Sequence, residues 1–407
     1  MEKITFVIPS RNNLEFLQLA YKSIRNLSVI ETGSHSPPAG GMLHDILVLN
    51  DASTDGTQEW IESLNDPNLI TYHNEGPNRI GIVGMFDKGI EMARTDIIMA
   101  FHADMVASPN LDKYILKHLK PGTVVSATRV EPPLHPEGPE KILMDFGVEV
   151  EDFDIDKFDN WVNNEYKPKH GKLVTEGIFA PWCMYKEDFL AIGGHDELFA
   201  PQSKEDSDLF NRFVLNGYKV LQTWEGLVYH FTSRGSRFNK HAGGAAGKNS
   251  DEWSYTTTKN TRNFIRKWGT FVKHDDLMKP IISPKYDIGF IIKNCNLQLL
   301  EALEPWCSTV YCDEQFTVGR VSDYVEMEDT SYDLYKKIKP YDNEKNNEIL
   351  VTINGKLFNQ QDFQYIQQLS EILEDSGEPA FHGELGNLTV EIFEKMNTYE
   401  KELIICE

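Results

Sequence analysis

Three short apolar runs, at residues 4–8, 44–49 and 97–101, each stop abruptly at polar side chains. A run of that length closed in that way suits a strand covered on both faces. Between the runs, apolar residues recur at helical spacing, as in Leu14, Leu17, Tyr21 and Ile24, with Asn13 at the N-cap position. Strand alternating with helix at this spacing means βαβ units and a parallel sheet. In such sheets the ligand crevice lies beyond the carboxyl ends of the strands. The ends here carry Arg11, Asp51 and Asp104, with His102 just before the last. All belong to one sheet edge, and His102 and Asp104 stand where a ligand or metal is expected.

The same pattern extends along the chain. Residues 69–72 form a short strand, and a glycine-containing loop over 74–81 leads to a helix over 83–93. A further strand is expected at 123–127. Residues 131–170, rich in proline and acid, read as a long irregular insertion that holds a hairpin and shapes an acceptor site. An extended run at 179–185, a helix at 186–190 and the turn Gly193-Gly194-His195-Asp196-Glu197 follow. Glu205 and Asp206 then open a helix with Leu209, Phe210, Phe213 and Val214 inward, before strands at 218–223 and 227–230. Residues 232–274 turn basic: Arg234, Arg237, Lys240, Lys248, Lys259, Arg262, Arg266, Lys267 and Lys273 meet few acids, and the glycines at 243–247 make the middle pliable. After Pro284 a second, acidic α/β unit begins, with strands at 287–292, 310–312, 348–353 and 403–406 and helices at 297–303 and 363–373. The expected domains are 1–275 and 284–407. The second carries no catalytic motif and is a candidate for homo-oligomeric assembly.

Composition removes several classes of function. The 407 residues are 40% hydrophobic and 25% charged, an ordinary globular balance. A formal net charge of -23 argues against general attraction to nucleic acid or anionic membrane. No apolar run approaches the roughly 20 residues of a membrane-spanning helix. The chain enters a strand almost at once, without signal-peptide architecture. Five cysteines, an odd number without paired spacing, read as free thiols of a reducing cytosol and argue against a zinc site. A cytoplasmic location is expected, that of the host if the protein is viral.

The segments Phe6-Val7-Ile8-Pro9-Ser10-Arg11-Asn12 and Leu47-Val48-Leu49-Asn50-Asp51-Ala52-Ser53-Thr54-Asp55-Gly56-Thr57, with the strand end at Asp104, resemble the family 2 glycosyltransferases. The Gly-Gly-His-Asp-Glu turn, the Glu205-Asp206 pair and the later His230 follow the family's order. The resemblance covers about residues 3–270. It implies a GT-A fold, a Rossmann-like and mostly parallel sheet with flanking helices. It also implies inverting transfer of a sugar from a nucleotide-diphosphate sugar. Pro9, Arg11 and Asp51 would contact the nucleotide, and Arg79, Ala103, Asp104 and Arg234 the rest of the donor. An aspartate can accept the imide N–H of uracil, which cytosine lacks, so UDP is the expected nucleotide. Three positions depart from the family. His195 takes the aromatic place of its turn, Asp87-Lys88-Gly89-Ile90 stands for its Asn-x-Gly-Ile, and His102-Ala103-Asp104 stands for its Asp-x-Asp.

Sugar transfer requires the leaving diphosphate to be neutralised and the acceptor hydroxyl to lose a proton. A divalent ion on Asp104 meets the first need. His102 either joins it or caps the strand end, and His230 either joins it or is an ordinary strand-end histidine. Imidazole favours Mn2+ over Mg2+. Asp206 is the expected general base, oriented by Glu205; plain helix capping is the alternative. Trp182 either stacks on an acceptor sugar or packs in the core. The basic segment either closes on the diphosphate, through Arg234 or Arg237, or forms a solvated face. The acceptor is expected to be a glycan or glycan precursor. A modified DNA base is the rival acceptor, and a non-catalytic nucleotide-sugar or carbohydrate-binding protein is the rival class.

Overall fold

The computed structural model describes residues 2–27, 43–232, 234, 249–376 and 381–401. The chain divides into two compact units, one built of Met1–Tyr255 with His274–Ile281, the other of Thr256–Lys273 with Ile282–Ile404. The stretch 256–273 thus groups with the second unit, whereas the domain boundary was expected after residue 275. The loop expected at 31–41, the glycines at 243–247 and the strand expected at 403–406 lie outside the described residues.

The first unit opens with β1 (Ile4–Ser10), α1 (Leu14–Leu27), β2 (Asp45–Asp51), α2 (Thr57–Ser63), β3 (Leu69–Asn74), α3 (Ile82–Met92) and β4 (Ile97–Ala100). These four strands pair in parallel in the order β3-β2-β1-β4, the arrangement that the alternating pattern requires. Every residue of β2 and β4 is buried, which accounts for their unbroken apolar runs.

After β4 come β5 (Met105–Ala107), α4 (Leu111–His118), β6 (Thr123–Glu131), β7 (Ile142–Leu143), α5 (Ile155–Asn164), β8 (Val174–Glu176), β9 (Trp182–Tyr185), α6 (Lys186–Ala191), α7 (Glu205–Leu215) and β10 (Lys219–His230). The sheet continues β4-β9-β6-β10-β5, with β9 antiparallel between β4 and β6. The strands expected at 218–223 and 227–230 are one strand, β10, whose register on β6 shifts between Thr223 and Leu227. The insertion carries no hairpin among its described residues. It holds β7, parallel to β6, and α5, capped by Asp154 accepting from the Lys157 amide at 2.9 Å. Its aromatic residues Phe146 and Phe158 pack with Tyr229 and Phe231 of the β10 end.

Helix α8 (Asp251–Trp268) passes into the second unit at Thr256. That unit contains β11 (Ile288–Lys293), α9 (Leu297–Leu303), β12 (Thr309–Cys312), α10 (Glu314–Glu328), α11 (Leu334–Lys337), β13 (Ile338–Pro340), β14 (Ile349–Asn354), α12 (Gln360–Gln367), α13 (Leu369–Asp375), β15 (Phe381–Leu385), β16 (Leu388–Ile392) and α14 (Thr398–Lys401). Its sheet runs β13-β12-β11-β14-β16-β15 and is parallel except for the final hairpin. The helix expected at 363–373 is two, α12 and α13, divided at Gln368.

Candidate active site

The two signature segments lock onto each other. The Asn12 amide donates to Ser53 Oγ at 3.0 Å, and the Thr54 amide to Asn12 Oδ1 at 2.7 Å. Asp55 accepts from the Leu14 amide at 2.9 Å, and so caps α1 from the neighbouring loop, and also from Thr57 Oγ1 at 2.5 Å. Short polar residues at these positions therefore join two strand ends into one rigid edge. Pro9 sits in β1 opposite Leu49, and Arg11 follows directly on the strand.

Asp51, at the end of β2, is 4% exposed. Its carboxylate accepts from Asn74 Nδ2 at 2.7 Å, the Ile80 amide at 2.9 Å and the Gly81 amide at 2.8 Å. It thereby pins the loop that carries Arg79, whose Nη2 lies 2.5 Å from Glu252 Oε1.

The third edge is set by strand pairing. After β4 the chain makes a tight turn, with the Met105 amide donating to the His102 carbonyl at 3.2 Å, and β5 pairs antiparallel with β10 in a register that sets His230 opposite Met105. This register brings His230 beside Asp104. Ligand atoms of His102, Asp104 and His230 all lie within 4.8 Å of one another. Ala103, 5% exposed, is the buried residue between the first two. Asp104 Oδ2 accepts from the Arg234 amide at 3.2 Å, while Oδ1 lies 3.7 Å from His230 Nε2. Burial lowers the pKa of His102, against the opposing pull of Asp104 and Asp206, so its imidazole is held toward the neutral form that a metal needs. Two imidazoles and a carboxylate gathered in this way fit a borderline divalent ion.

Glu205 and Asp206 form the first turn of α7. The Glu205 carboxyl is pushed up to about 8, chiefly by burial and then by the charge of Asp206, and its Oε2 is buried without a hydrogen-bond partner. Among the described residues, a buried side-chain polar atom of each of Ser10, Arg11, Glu205 and Arg234 lacks a hydrogen-bond partner. Such atoms are rare in folded chains.

Helix α7 is positioned by Arg212, a residue without a sequence signal of its own. Fully buried, it donates to Asp208 Oδ2 at 2.8 Å, the Ile192 carbonyl at 2.9 Å and the Gly194 carbonyl at 2.7 Å. The Gly-Gly turn is thus tied to the acidic helix. His195 and Asp87, two of the departures from the family pattern, are partners: Nδ1 lies 2.6 Å from Oδ1, and the His195 amide donates to Oδ2 at 3.0 Å.

Other expectations are corrected. Trp182 is 1% exposed and packs on Phe189 and Phe213, so its ring has no face free for a sugar. The Arg234 guanidinium, expected on the diphosphate, donates to the Val148 carbonyl at 3.0 Å and pairs with Glu149 at 2.9 Å. The basic face is largely neutralised within the second unit: Lys259 pairs with Asp329 at 2.7 Å, Arg262 with Glu328 at 2.8 Å, and Arg266 with Glu304 at 2.5 Å and with Glu328. Arg237, Lys240 and Lys248 lie outside the described residues. The four described cysteines, Cys183, Cys295, Cys307 and Cys312, form no disulfide. Among the described residues no helix is long and apolar enough to cross a membrane.

Residues 5–166 match the family described as Glycosyl transferase family 2, and residues 162–239 match Chondroitin N-acetylgalactosaminyltransferase. These matches, which together run over residues 5–239, liken the first unit to glycosyltransferase domains. The family 2 match covers the stretch from β1 to α5. No curated protein sequence matches the chain. Among solved structures, the chain is similar to GalNAc-T7 with UDP, GalNAc and Mn2+ (12% identity over 56% of this chain and 44% of that one, TM-score 0.37). It is similar to S. aureus TarS in complex with UDP (12% identity, 56% and 60%, TM-score 0.37). It is also similar to the mannosyltransferase PcManGT from Pyrobaculum calidifontis in complex with GDP-Man and Mn2+ (16% identity, 65% and 64%, TM-score 0.40). The chain spans less than two thirds of each of these structures.

Proposed function

We propose that the first unit transfers a sugar from a nucleotide-diphosphate sugar, UDP-linked, to a hydroxyl of a glycan or glycan precursor, with inversion. The observation that carries this reading is the convergence of His102, Asp104 and His230 at one edge of a family 2 domain, near enough to Asp206 for its charge to act on His102. Pro9, Arg11 and the Asp51-pinned loop with Arg79 would receive the nucleotide, and the unpartnered Arg11 Nη1 would donate to it. His102, Asp104 and His230 would hold a divalent cation, Mn2+ in preference to Mg2+ because two of the ligands are imidazoles. When bound, it supplies positive charge to the departing diphosphate. Asp206 takes the acceptor's proton. It stands in the first turn of α7, next to Glu205. Glu205, whose carboxyl burial and Asp206 push up to about 8, can in its protonated form donate a hydrogen bond to the same substrate.

The test is turnover of a panel of nucleotide sugars with Mn2+ by wild type, Asp104→Ala and Asp206→Asn. Asp206→Asn should lower kcat about 10²–10⁴-fold while leaving stabilisation by donor and Mn2+ against heat in place. Asp104→Ala should lose both. Activity indifferent to both changes would sink the assignment.

A further inference from the structure

Glu131 is the last residue of β6 and is 1% exposed. Its carboxylate gathers three donors. Arg129 Nη1 reaches Oε1 at 2.8 Å, Lys141 Nζ reaches Oε2 at 2.8 Å, and His230 Nδ1 lies 3.0 Å from Oε1. A charge buried at a strand end is costly unless it is paired and hydrogen-bonded. Arg129 and Lys141 supply two positive charges, Glu131 and Glu140 two negative ones, with Glu140 Oε1 3.5 Å from Arg129 Nη2. An ionised carboxylate only accepts, so Nδ1 of His230 carries the hydrogen of this contact, and Nε2 is the nitrogen left to face the site. That nitrogen faces Asp104 Oδ1 at 3.7 Å, beyond hydrogen-bond reach, within the same cluster as His102.

We propose that Glu131 is a positioning residue for the metal centre, fixing His230 as the Nδ1–H tautomer and aiming Nε2 at the cation position shared with His102 and Asp104. The inference rests on reading those three residues as the metal site. It also gives the insertion a role beyond shaping an acceptor site, because Lys141 locks the Glu131 carboxylate from its free side. A carboxylate behind a metal-bound histidine fixes ring orientation and raises ligand basicity, and its removal weakens binding about 10–100-fold.

Full-length protein labelled with ¹⁵N-histidine, free of metal, reports the tautomer by long-range ¹H–¹⁵N correlation, with His230 assigned by its loss in His230→Gln. At a pH high enough for the ring to be neutral, wild type should show a protonated Nδ1 and an unprotonated Nε2. Mn2+ affinity is read separately, from loss of the free-ion paramagnetic resonance signal. Glu131→Ala should mix the tautomers and weaken Mn2+ about 10–100-fold, and Glu131→Gln, which keeps a carbonyl acceptor for Nδ1–H, should lose less. Circular dichroism establishes that each variant is folded. If neither folds, the wild-type tautomer decides, and an Nε2–H ring overturns the proposal. A folded Glu131→Ala with Mn2+ affinity within about twofold of wild type also overturns it. Wild type that binds no Mn2+ overturns the metal reading itself, and this failure is told apart because the tautomer is read without metal.

Discussion

Replacing Arg212 by alanine should destabilise the first unit more than almost any other single polar change. The guanidinium is fully buried and donates to Asp208 Oδ2, the Ile192 carbonyl and the Gly194 carbonyl at 2.8, 2.9 and 2.7 Å. Removing it takes the cation from a carboxylate that is itself fully buried. Breaking a buried pair from one side costs about 3–5 kcal/mol. Two carbonyls also lose donors, at about 1–3 kcal/mol each where water cannot replace them, so the lower figure already allows for relaxation. For a unit of this size each kcal/mol is worth about 2–4 °C, and a fall of about 6–20 °C in Tm is expected. Urea and calorimetric unfolding measure it. The double variant Asp208→Leu/Arg212→Met should recover most of the loss, because apolar replacement of a whole buried pair is often neutral or better. A cost below about 1 kcal/mol for Arg212→Ala would refute the reasoning. A double variant that loses as much stability as Arg212→Ala would place the loss in packing rather than charge. Because Arg212 ties the Gly-Gly turn to α7, the folded fraction of Arg212→Ala should also lose turnover.

Two further outcomes follow from the same geometry. Glu205 is held up to about 8 by burial and by Asp206, so the folded chain keeps a proton that the unfolded chain releases above the ordinary carboxylate range. That stabilising share is complete below the unfolded pKa and lost as pH rises toward about 8; Glu205→Gln should flatten the decline in urea-unfolding free energy between about pH 5 and 8, and equal slopes would count against it. Trp182→Ala should lower unfolding free energy by about 3–5 kcal/mol, as for any buried tryptophan. Loss of acceptor affinity without loss of stability would instead return the ring to the acceptor site.

The strand ends were legible because parallel strands buried on both faces write themselves as apolar runs, and the polar residues that follow can only lie at the edge. What was not legible depends on pairing across long separations. Glu131 looked like the first residue of an insertion, since its partner His230 lies 99 residues on. Arg129 and Glu131, charged and alternate at the end of an otherwise apolar run, were the available signal, because alternate residues share one face of a strand. Arg262 and Arg266 looked like a basic face because the acids that neutralise them, Glu328 and Glu304, come 66 and 38 residues later. Trp182 shows the converse: an aromatic beside a functional turn reads the same in sequence whether it faces a ligand or the core. Arg212 had the spacing of a routine i,i+4 pair with Asp208, and only burial gives that pair its weight.

The pairing of β5 with β10 has a consequence for how the protein acquires its site. Asp104 and His102 lie on the stretch that matches family 2, but His230 arrives with the last long strand of the unit, which must first settle against β6. Such closure between distant segments is slow relative to local helix and hairpin formation. A chain still emerging during synthesis, or one cut after residue 166, carries the whole family 2 match but only two of the three residues of the His102, Asp104 and His230 cluster. On the proposed metal reading, cation capture would belong to the finished sheet, and the time course of Mn2+ uptake during refolding would be a clock for the docking of β10.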